Sequence, residues 1–224
     1  MTPNQVTAAR VAAAFAAVAL FTLGADVLAA DIAAVLLTVA AIALDGVDGY
    51  LARTRGLSTP LGAQLDILGD RVVENLFFTF FAVSGLISLW VPVVFFVRGT
   101  LTDFLRGLAA RVGRSGFGRN SMLETWWGRS LVASRASRAA YAVLKCVCFC
   151  VLGFVVSLRH LPAPQLNVLF SELAVRSLFL AGQSLTGAAV ILCLVRAIPV
   201  IWDGRRYFAA AGKAPAVVAA GISR

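Results

Sequence analysis

The sequence has little of most residue types that carry chemistry in soluble enzymes. His160 is the single histidine, and Lys145 and Lys213 are the only lysines among 224 residues. The four cysteines form no Cys-x-x-Cys pair with a histidine nearby, which disfavours a zinc or redox centre. Catalysis by histidine has one candidate, and because His160 lies in a short proline-rich connection we expect it to be a loop residue.

Charge is also scarce, at 14% of residues, whereas hydrophobic residues make up 60% of the chain. The mean hydropathy of +0.87 is too high for an ordinary water-soluble domain. Six apolar runs approach the roughly 20 residues that cross a bilayer. The sequence therefore predicts an all-α integral membrane protein with six transmembrane helices and an N-terminal interfacial element. The runs are 8–25, 30–53, 62–88, 90–112, 136–158 and 173–201.

The distribution of arginine predicts the orientation of these spans. The net charge is +9, and the turns 26–31 and 84–92 contain no basic residue. Because Lys and Arg accumulate on the cytoplasmic side, both termini are expected there. Membrane lipids explain the positive charge, so no nucleic-acid partner is predicted. Arginine-rich, lysine-poor usage suggests a bacterial inner membrane. We expect one transmembrane domain over 1–206 and a loosely ordered cytoplasmic tail over 207–224.

Four aspartates stand at helical spacing near the ends of the second and third spans. Asp45 and Asp48 are three residues apart, and Asp66 and Asp70 are four apart, so each pair shares a helix face. One carboxylate inside a membrane helix costs roughly 2.5 to 3.5 kcal/mol, so four require compensation. Arg53 and Arg71 could neutralise only two. Two divalent cations, Mg²⁺ or Mn²⁺, would balance all four with the oxygen ligands that they prefer.

Carboxylates that hold hard cations at a membrane face indicate phosphoryl or phosphodiester chemistry, in which the cations clamp and polarise a phosphate. A proton- or ion-coupling cluster in a transporter is the alternative from another class. The spacing alone leaves both readings open.

The stretch that contains these aspartates resembles a family signature. Residues 45–70 match Asp-x-x-Asp-Gly-x-x-Ala-Arg-x8-Gly-x-x-x-Asp-x-x-x-Asp at every fixed position, as in the CDP-alcohol phosphatidyltransferases. The resemblance implies transfer of a phosphatidyl group from a CDP-linked lipid, such as CDP-diacylglycerol, to an alcohol, with release of CMP. It also implies a two-metal site at the cytoplasmic side of helices 2 and 3, and a homodimer.

The resemblance assigns roles to individual residues. Metal ligands would be Asp45, Asp48, Asp66 and Asp70, with Asp70 also the general base. The CDP-lipid headgroup would lie at Gly49, Arg53 and Thr59. Asn4 and Thr7 match an N-terminal Asn-x-x-Thr element that touches the nucleotide in the family. A plain helix cap is an equal alternative for Asn4 and Thr7.

The acceptor alcohol is indicated by cations on the fourth and fifth spans. The candidates for a phosphate pocket are Arg98, Arg106, Arg135 and Arg138, supported by Lys145. Arg98 and Arg106 are similar to paired arginines of the glycerol 3-phosphate-using members, so we expect a small phosphorylated alcohol, glycerol 3-phosphate first. Arg71 after the fourth aspartate is similar to the inositol-phosphate synthases, which keeps inositol phosphate open, as is another alcohol or a lipid acceptor. Topology signalling is the alternative for these arginines, and Arg71 and Glu74 are expected to form a local ion pair.

Overall fold

Long helices dominate the described part of the chain. A computed structural model describes residues 2–24, 27–54, 59–114, 121–162, 166 and 169–211, and at 3, 45–54, 60, 135 and 209–211 it describes only the backbone. The helices are α1 (Pro3–Leu23), α2 (Leu28–Thr54), α3 (Pro60–Val83), α4 (Trp90–Arg111), α5 (Trp126–Gly128), a π-helical turn (Arg129–Ala133), α6 (Arg135–His160) and α7 (Glu172–Ala211).

Local sequence explains where several helices begin and end. Thr2 caps α1 in a capping box, in which the Gln5 amide donates to Thr2 Oγ1 and Gln5 Oε1 accepts from the Thr2 amide. Thr59 caps α3 in the same position before a proline. The turns after α3 and α4 contain Gly85 and Gly113 at φ +70° and +73°, a backbone region that glycine adopts without a steric penalty.

The long helices overlap the six predicted apolar runs, and the number of membrane spans stays a prediction. The N-terminal interfacial element is not separate, because Thr2 and the proline after it start a helix that continues to Leu23. The last helix also runs to Ala211, five residues beyond the predicted end of the ordered domain at 206. Its 40 residues would extend about 60 Å at 1.5 Å per residue, twice the hydrocarbon thickness. Residues 212–224 of the predicted tail lie outside the described residues.

The described residues divide into two compact units, one within 1–96 and 141–191 and one within 97–140 and 192–224. The dividing points fall inside α4, α6 and α7, so the single domain over 1–206 stays a prediction. In the first unit, α1 packs against α2 and α3. Its core is rich in phenylalanine rings, and Phe78 lies 4.3 Å from Phe95 and 4.8 Å from Phe149 between centroids. Such pairs stabilise a core beyond the area that they bury.

The second unit is organised around a short connection that α7 holds in place. Asp203 is fully buried, and its Oδ2 accepts hydrogen bonds from the amides of Glu124 and Thr125 at 3.0 and 3.3 Å and from the Thr125 hydroxyl at 2.9 Å. Arg196 donates to the Leu131 carbonyl at 2.6 Å. These bonds satisfy the polar backbone where α5 begins and the π-helical turn ends. The buried hydrophobic residues of this unit are Leu105, Ala109, Met122, Leu123, Val132 and Val200.

The composition of the helices indicates a membrane protein. Within the described residues, three helical stretches are long and apolar enough to cross a bilayer: 4–23, 136–160 and 172–208. Large apolar side chains also face outward, including Phe96 at 61%, Ile191 at 64% and Leu180 at 51% exposure. Soluble proteins rarely expose so much apolar surface, whereas lipid tails cover it without cost.

His160 is not a loop residue, contrary to the expectation from its proline-rich surroundings. It is the last residue of α6, and its Nδ1 lies 2.8 Å from Oδ1 of Asp31, which is buried in the first turn of α2. A carboxylate in the first turn of a helix interacts favourably with the helix dipole, and the contact with His160 gives buried Asp31 a polar partner. The pair therefore ties α2 to α6 and leaves His160 a structural role.

Candidate active site

One face of α1 lies along the first half of α3. Asn4, Thr7 and Arg10 are spaced three residues apart, so they project from the same side of α1. A Cβ at Gly62 would lie 3.0 Å from Asn4 Oδ1, and a Cβ at Gly69 would lie 2.9 Å from Thr7 Cγ2. The glycines therefore let α1 approach closely. Because Thr2 provides the cap of α1, the alternative of a plain cap role for Asn4 and Thr7 is wrong.

Arg10 is the residue of this face that reaches the aspartates. Its Nη1 donates to Asp70 Oδ1 at 2.7 Å, and its Nη2 donates to Asp66 Oδ1 and to the Asp66 carbonyl, both at 3.0 Å. The Arg10 side chain is 2% exposed, whereas the Asp66 and Asp70 side chains are 48% and 50% exposed. Both carboxylates are therefore held by a buried guanidinium while about half of each side chain stays exposed.

The donor set of this pair suits a hard cation. One oxygen each of Asp66 and Asp70 lies within 3.0 Å of the same guanidinium, so the two carboxylates converge on one positive charge. Carboxylate oxygens are the ligands that Mg²⁺ and Mn²⁺ favour. The described half of the predicted four-aspartate set therefore fits the cations inferred from the sequence.

The other half of that set lies outside the described side chains. The backbone of α2 is helical through Asp45, Asp48, Gly49 and Arg53, which keeps the predicted spacing on one helix face. Among the residues whose side chains are described, no group of three or more His, Cys, Asp or Glu side chains could hold a metal ion. The two-metal site with these ligands remains a prediction, as does the headgroup role of Gly49 and Arg53.

Thr59, the third residue assigned to the headgroup, is exposed at the start of α3. Its hydroxyl oxygen accepts a hydrogen bond from the Gly62 amide at 3.0 Å. The same oxygen would lie 3.0 Å from a Cβ at Gly62, as would Asn4 Oδ1. Thr59 and Asn4, which are both expected to contact the CDP moiety, therefore lie on either side of one position, Gly62. Gly62 is two helical turns before Asp70.

A buried acid lies one helical turn beyond Asp70. Glu74 is 3% exposed, and its two oxygens lie 2.9 Å from Arg71 Nη1 and 2.8 Å from Lys145 Nζ. The predicted local pair of Arg71 and Glu74 is confirmed. Lys145 of α6 is a second cation that pairs with Glu74. Its charge is therefore already paired with a carboxylate of α3.

The candidate acceptor arginines lie in the second unit. Arg98 is 8% exposed, and its buried Nε has no hydrogen-bond partner among the described atoms. Arg106 donates to Asp103 Oδ1 at 3.0 Å, and Arg138 is exposed. The side chain of Arg135 lies outside the described part of the chain. A buried cation with unused hydrogen-bonding capacity is costly without a function, so Arg98 is the strongest of these candidates.

Sequence reasoning assigned no role to Arg10, although it completes the Asn4-x-x-Thr7-x-x-Arg10 spacing. A signal was present in that regular spacing, because residues three apart on a helix share a face. Its partners on α3 are 56 and 60 residues away in sequence, a pairing that spacing alone does not specify.

Comparisons with known proteins agree with the resemblance read from the motif. A profile described as CDP-alcohol phosphatidyltransferase matches residues 1–166. The archaetidylinositol phosphate synthase of Aeropyrum pernix is 32% identical over 120 residues, which cover 54% of this chain and 59% of that protein. The match thus spans less than two thirds of the relative's length. No solved structure matches the chain.

Proposed function

Because the chain belongs to the CDP-alcohol phosphatidyltransferase family, we propose that it transfers a phosphatidyl group from a CDP-linked lipid to the hydroxyl of a small phosphorylated alcohol, with release of CMP. The observation that carries this proposal is the convergence of Asp66 and Asp70 on one positive charge while both remain half exposed. Such carboxylates can reach a substrate and a cation at the same time. The reaction would serve phospholipid biosynthesis.

Asp70 is proposed to act as the general base as well as a metal ligand. Arg10 holds its Oδ1, and the side chain is 50% exposed, so the carboxylate can approach an acceptor hydroxyl. The hydroxyl would give its proton to Asp70 as its oxygen attacks the phosphorus next to the lipid. The bond from that phosphorus to the bridging oxygen then breaks, and CMP leaves with the oxygen. When bound by Asp45, Asp48, Asp66 and Asp70, two divalent cations would clamp and polarise the diphosphate.

For the acceptor we now place inositol phosphate ahead of glycerol 3-phosphate. The relative from Aeropyrum pernix carries inositol phosphate in the name of its product, and Arg71 fits the same subgroup. The similarity to glycerol 3-phosphate-using members rests on Arg98 and Arg106, and Arg106 is already paired with Asp103. Both acceptors carry a phosphate monoester, which arginine binds in a bidentate fork.

The proposal is tested by CMP release. The purified protein is incubated with Mg²⁺ or Mn²⁺, with CDP-diacylglycerol or its dialkyl ether counterpart, and with inositol phosphate, glycerol 3-phosphate, or unphosphorylated inositol and glycerol. We expect release that depends on donor, cation and phosphorylated acceptor. CMP release with the unphosphorylated alcohols alone would show that the acceptor is not a phosphorylated alcohol. If no donor and acceptor pair gives CMP release, the proposal fails and the ion-coupled transporter becomes the favoured function.

Arg138→Ala should weaken use of the acceptor and spare the donor. If Arg138 grips the phosphate, the loss of one charge-assisted hydrogen bond, roughly 1.5 to 3 kcal/mol, lowers acceptor efficiency by about one to two decades. Acceptor and donor kinetics are measured separately. Arg111→Ala is the control, because Arg111 is an exposed arginine in the last turn of α4. If both variants change the acceptor kinetics equally, Arg138 contributes only to the membrane topology and does not bind the acceptor.

We propose that the protein is a multi-pass protein of a bacterial inner membrane, with both termini in the cytoplasm and with a second copy as partner in a homodimer. The distribution of arginine supports the orientation. Cysteines placed at Leu89 and Arg114, which flank α4, should then label from opposite sides in a variant without the four native cysteines. We expect an impermeant maleimide added to intact cells to label position 89 and not 114. Labelling of position 114 and not of position 89 would show that the topology is opposite to the one proposed.

A further inference from the structure

The Arg10 side chain is buried between α1 and α3, and it is held there by contacts with both the side chains and the backbone of α3. The side chain is 2% exposed, and Nη2 donates to the Asp66 backbone carbonyl as well as to the carboxylate. The bond to the carbonyl does not depend on how either carboxylate is turned. The guanidinium therefore has an anchor that would persist if the aspartates bound another cation.

The space that Arg10 occupies exists because residue 69 is a glycine. A Cβ there would lie 3.0 Å from Arg10 Nη2 and 2.9 Å from Thr7 Cγ2. Contacts this short force a neighbour to move, and Thr7 leaves little room because it is only 8% exposed. Gly69 stands directly before Asp70, so the sequence places the smallest residue where the guanidinium reaches the second carboxylate.

The fork engages one oxygen of each carboxylate, Oδ1 in both cases. A charge-assisted hydrogen bond to one oxygen of a carboxylate limits the directions in which its second oxygen can point. Two like charges four residues apart on a helix also repel, and one buried guanidinium between them offsets that repulsion. Arg10 thus restricts the direction of the Asp66 and Asp70 carboxylates.

From these contacts we propose that Arg10 is a positioning residue for the metal ligands, which aims the second carboxylate oxygen of Asp66 and of Asp70 at the divalent cations. The proposal rests on the proposed function, since it assumes that these aspartates bind cations. Hydrogen-bond partners behind metal ligands typically contribute about ten- to hundredfold to metal affinity. In this role Arg10 acts on the cations through the aspartates.

The test is the affinity for Mn²⁺ of the full-length protein in detergent, measured by calorimetry without substrates. Arg10→Met should weaken Mn²⁺ binding about ten- to hundredfold. Arg10→Lys keeps the charge and loses the fork, so we expect an intermediate loss. Gly69→Ala keeps Arg10 but crowds it, and should weaken binding in the same direction. Arg206→Met is the control, because Arg206 pairs with Glu124 and Asp203 of the second unit instead.

Each outcome of this test decides the proposal. If Arg10→Met lowers the midpoint of thermal unfolding but binds Mn²⁺ as the wild type does, Arg10 is a structural ion pair and the proposal is wrong. If the variant binds Mn²⁺ more tightly, Arg10 competes with the cations, and the proposal is again wrong. If the folded wild-type protein binds no Mn²⁺, the metal-dependent function fails with it. Arg10→Lys keeps the test valid should Arg10→Met not fold.

Discussion

Asp66→Asn is expected to abolish both CMP release and Mn²⁺ binding while the protein stays folded. Asp66 is the third of the four motif aspartates, and the amide removes one negative charge and one strong oxygen ligand. Stability should change little in the metal-free protein. The reason is that Asp66 is 48% exposed, and solvent screens its pairing with Arg10. Activity, calorimetry with Mn²⁺ and thermal unfolding are measured on the same preparation.

Glu172→Gln is the control for this substitution, because it also removes one carboxylate charge, from an exposed position in the first turn of α7. It should retain activity and Mn²⁺ affinity. Normal turnover by Asp66→Asn would contradict the two-metal mechanism. Loss of turnover with unchanged Mn²⁺ binding would instead place Asp66 on the substrate.

The positions of the long helices could be predicted because the bilayer requires uninterrupted apolar runs. The run 136–158 lies inside α6, and the run 90–112 corresponds to α4. The limits of α7 could not be predicted from hydropathy, which falls before Arg205 and Arg206 although neither residue breaks a helix. The start of α1 depends on capping by Thr2, a local signal that a search for apolar runs overlooks.

The motif predicted which carboxylates matter, but not what holds them. From the sequence, Arg53 and Arg71 could neutralise at most two of the aspartates, and Arg71 was expected to pair with Glu74, as it does. The counter-ion that the sequence did not predict is Arg10 of α1, which binds Asp66 and Asp70. His160 likewise found a partner in Asp31, 129 residues away. Tertiary pairings between helices depend on how the helices pack, which residue spacing within one helix does not determine.

Glu74 is the buried carboxylate of a three-residue ion-pair cluster in the first unit. It is 3% exposed, while Arg71 and Lys145 are each 23% exposed. The carboxylate thus links two cations, one from its own helix and one from α6. Removing one partner of a buried ion pair leaves the other charges without compensation, which costs more than the intact pair contributes.

Glu74→Ala should therefore destabilise the protein by about 3 to 5 kcal/mol, measured as the free energy of unfolding in detergent. The double variant Glu74→Leu with Lys145→Met should recover part of the loss, because a buried charge is removed together with its partner. Glu124→Ala breaks the exposed pair with Arg206, 44% and 46% exposed, and should cost about 1 kcal/mol or less. Equal losses for Glu74→Ala and Glu124→Ala would show that the Glu74 cluster is hydrated rather than buried. A double variant less stable than Glu74→Ala would show that Lys145 stabilises the bundle through other contacts.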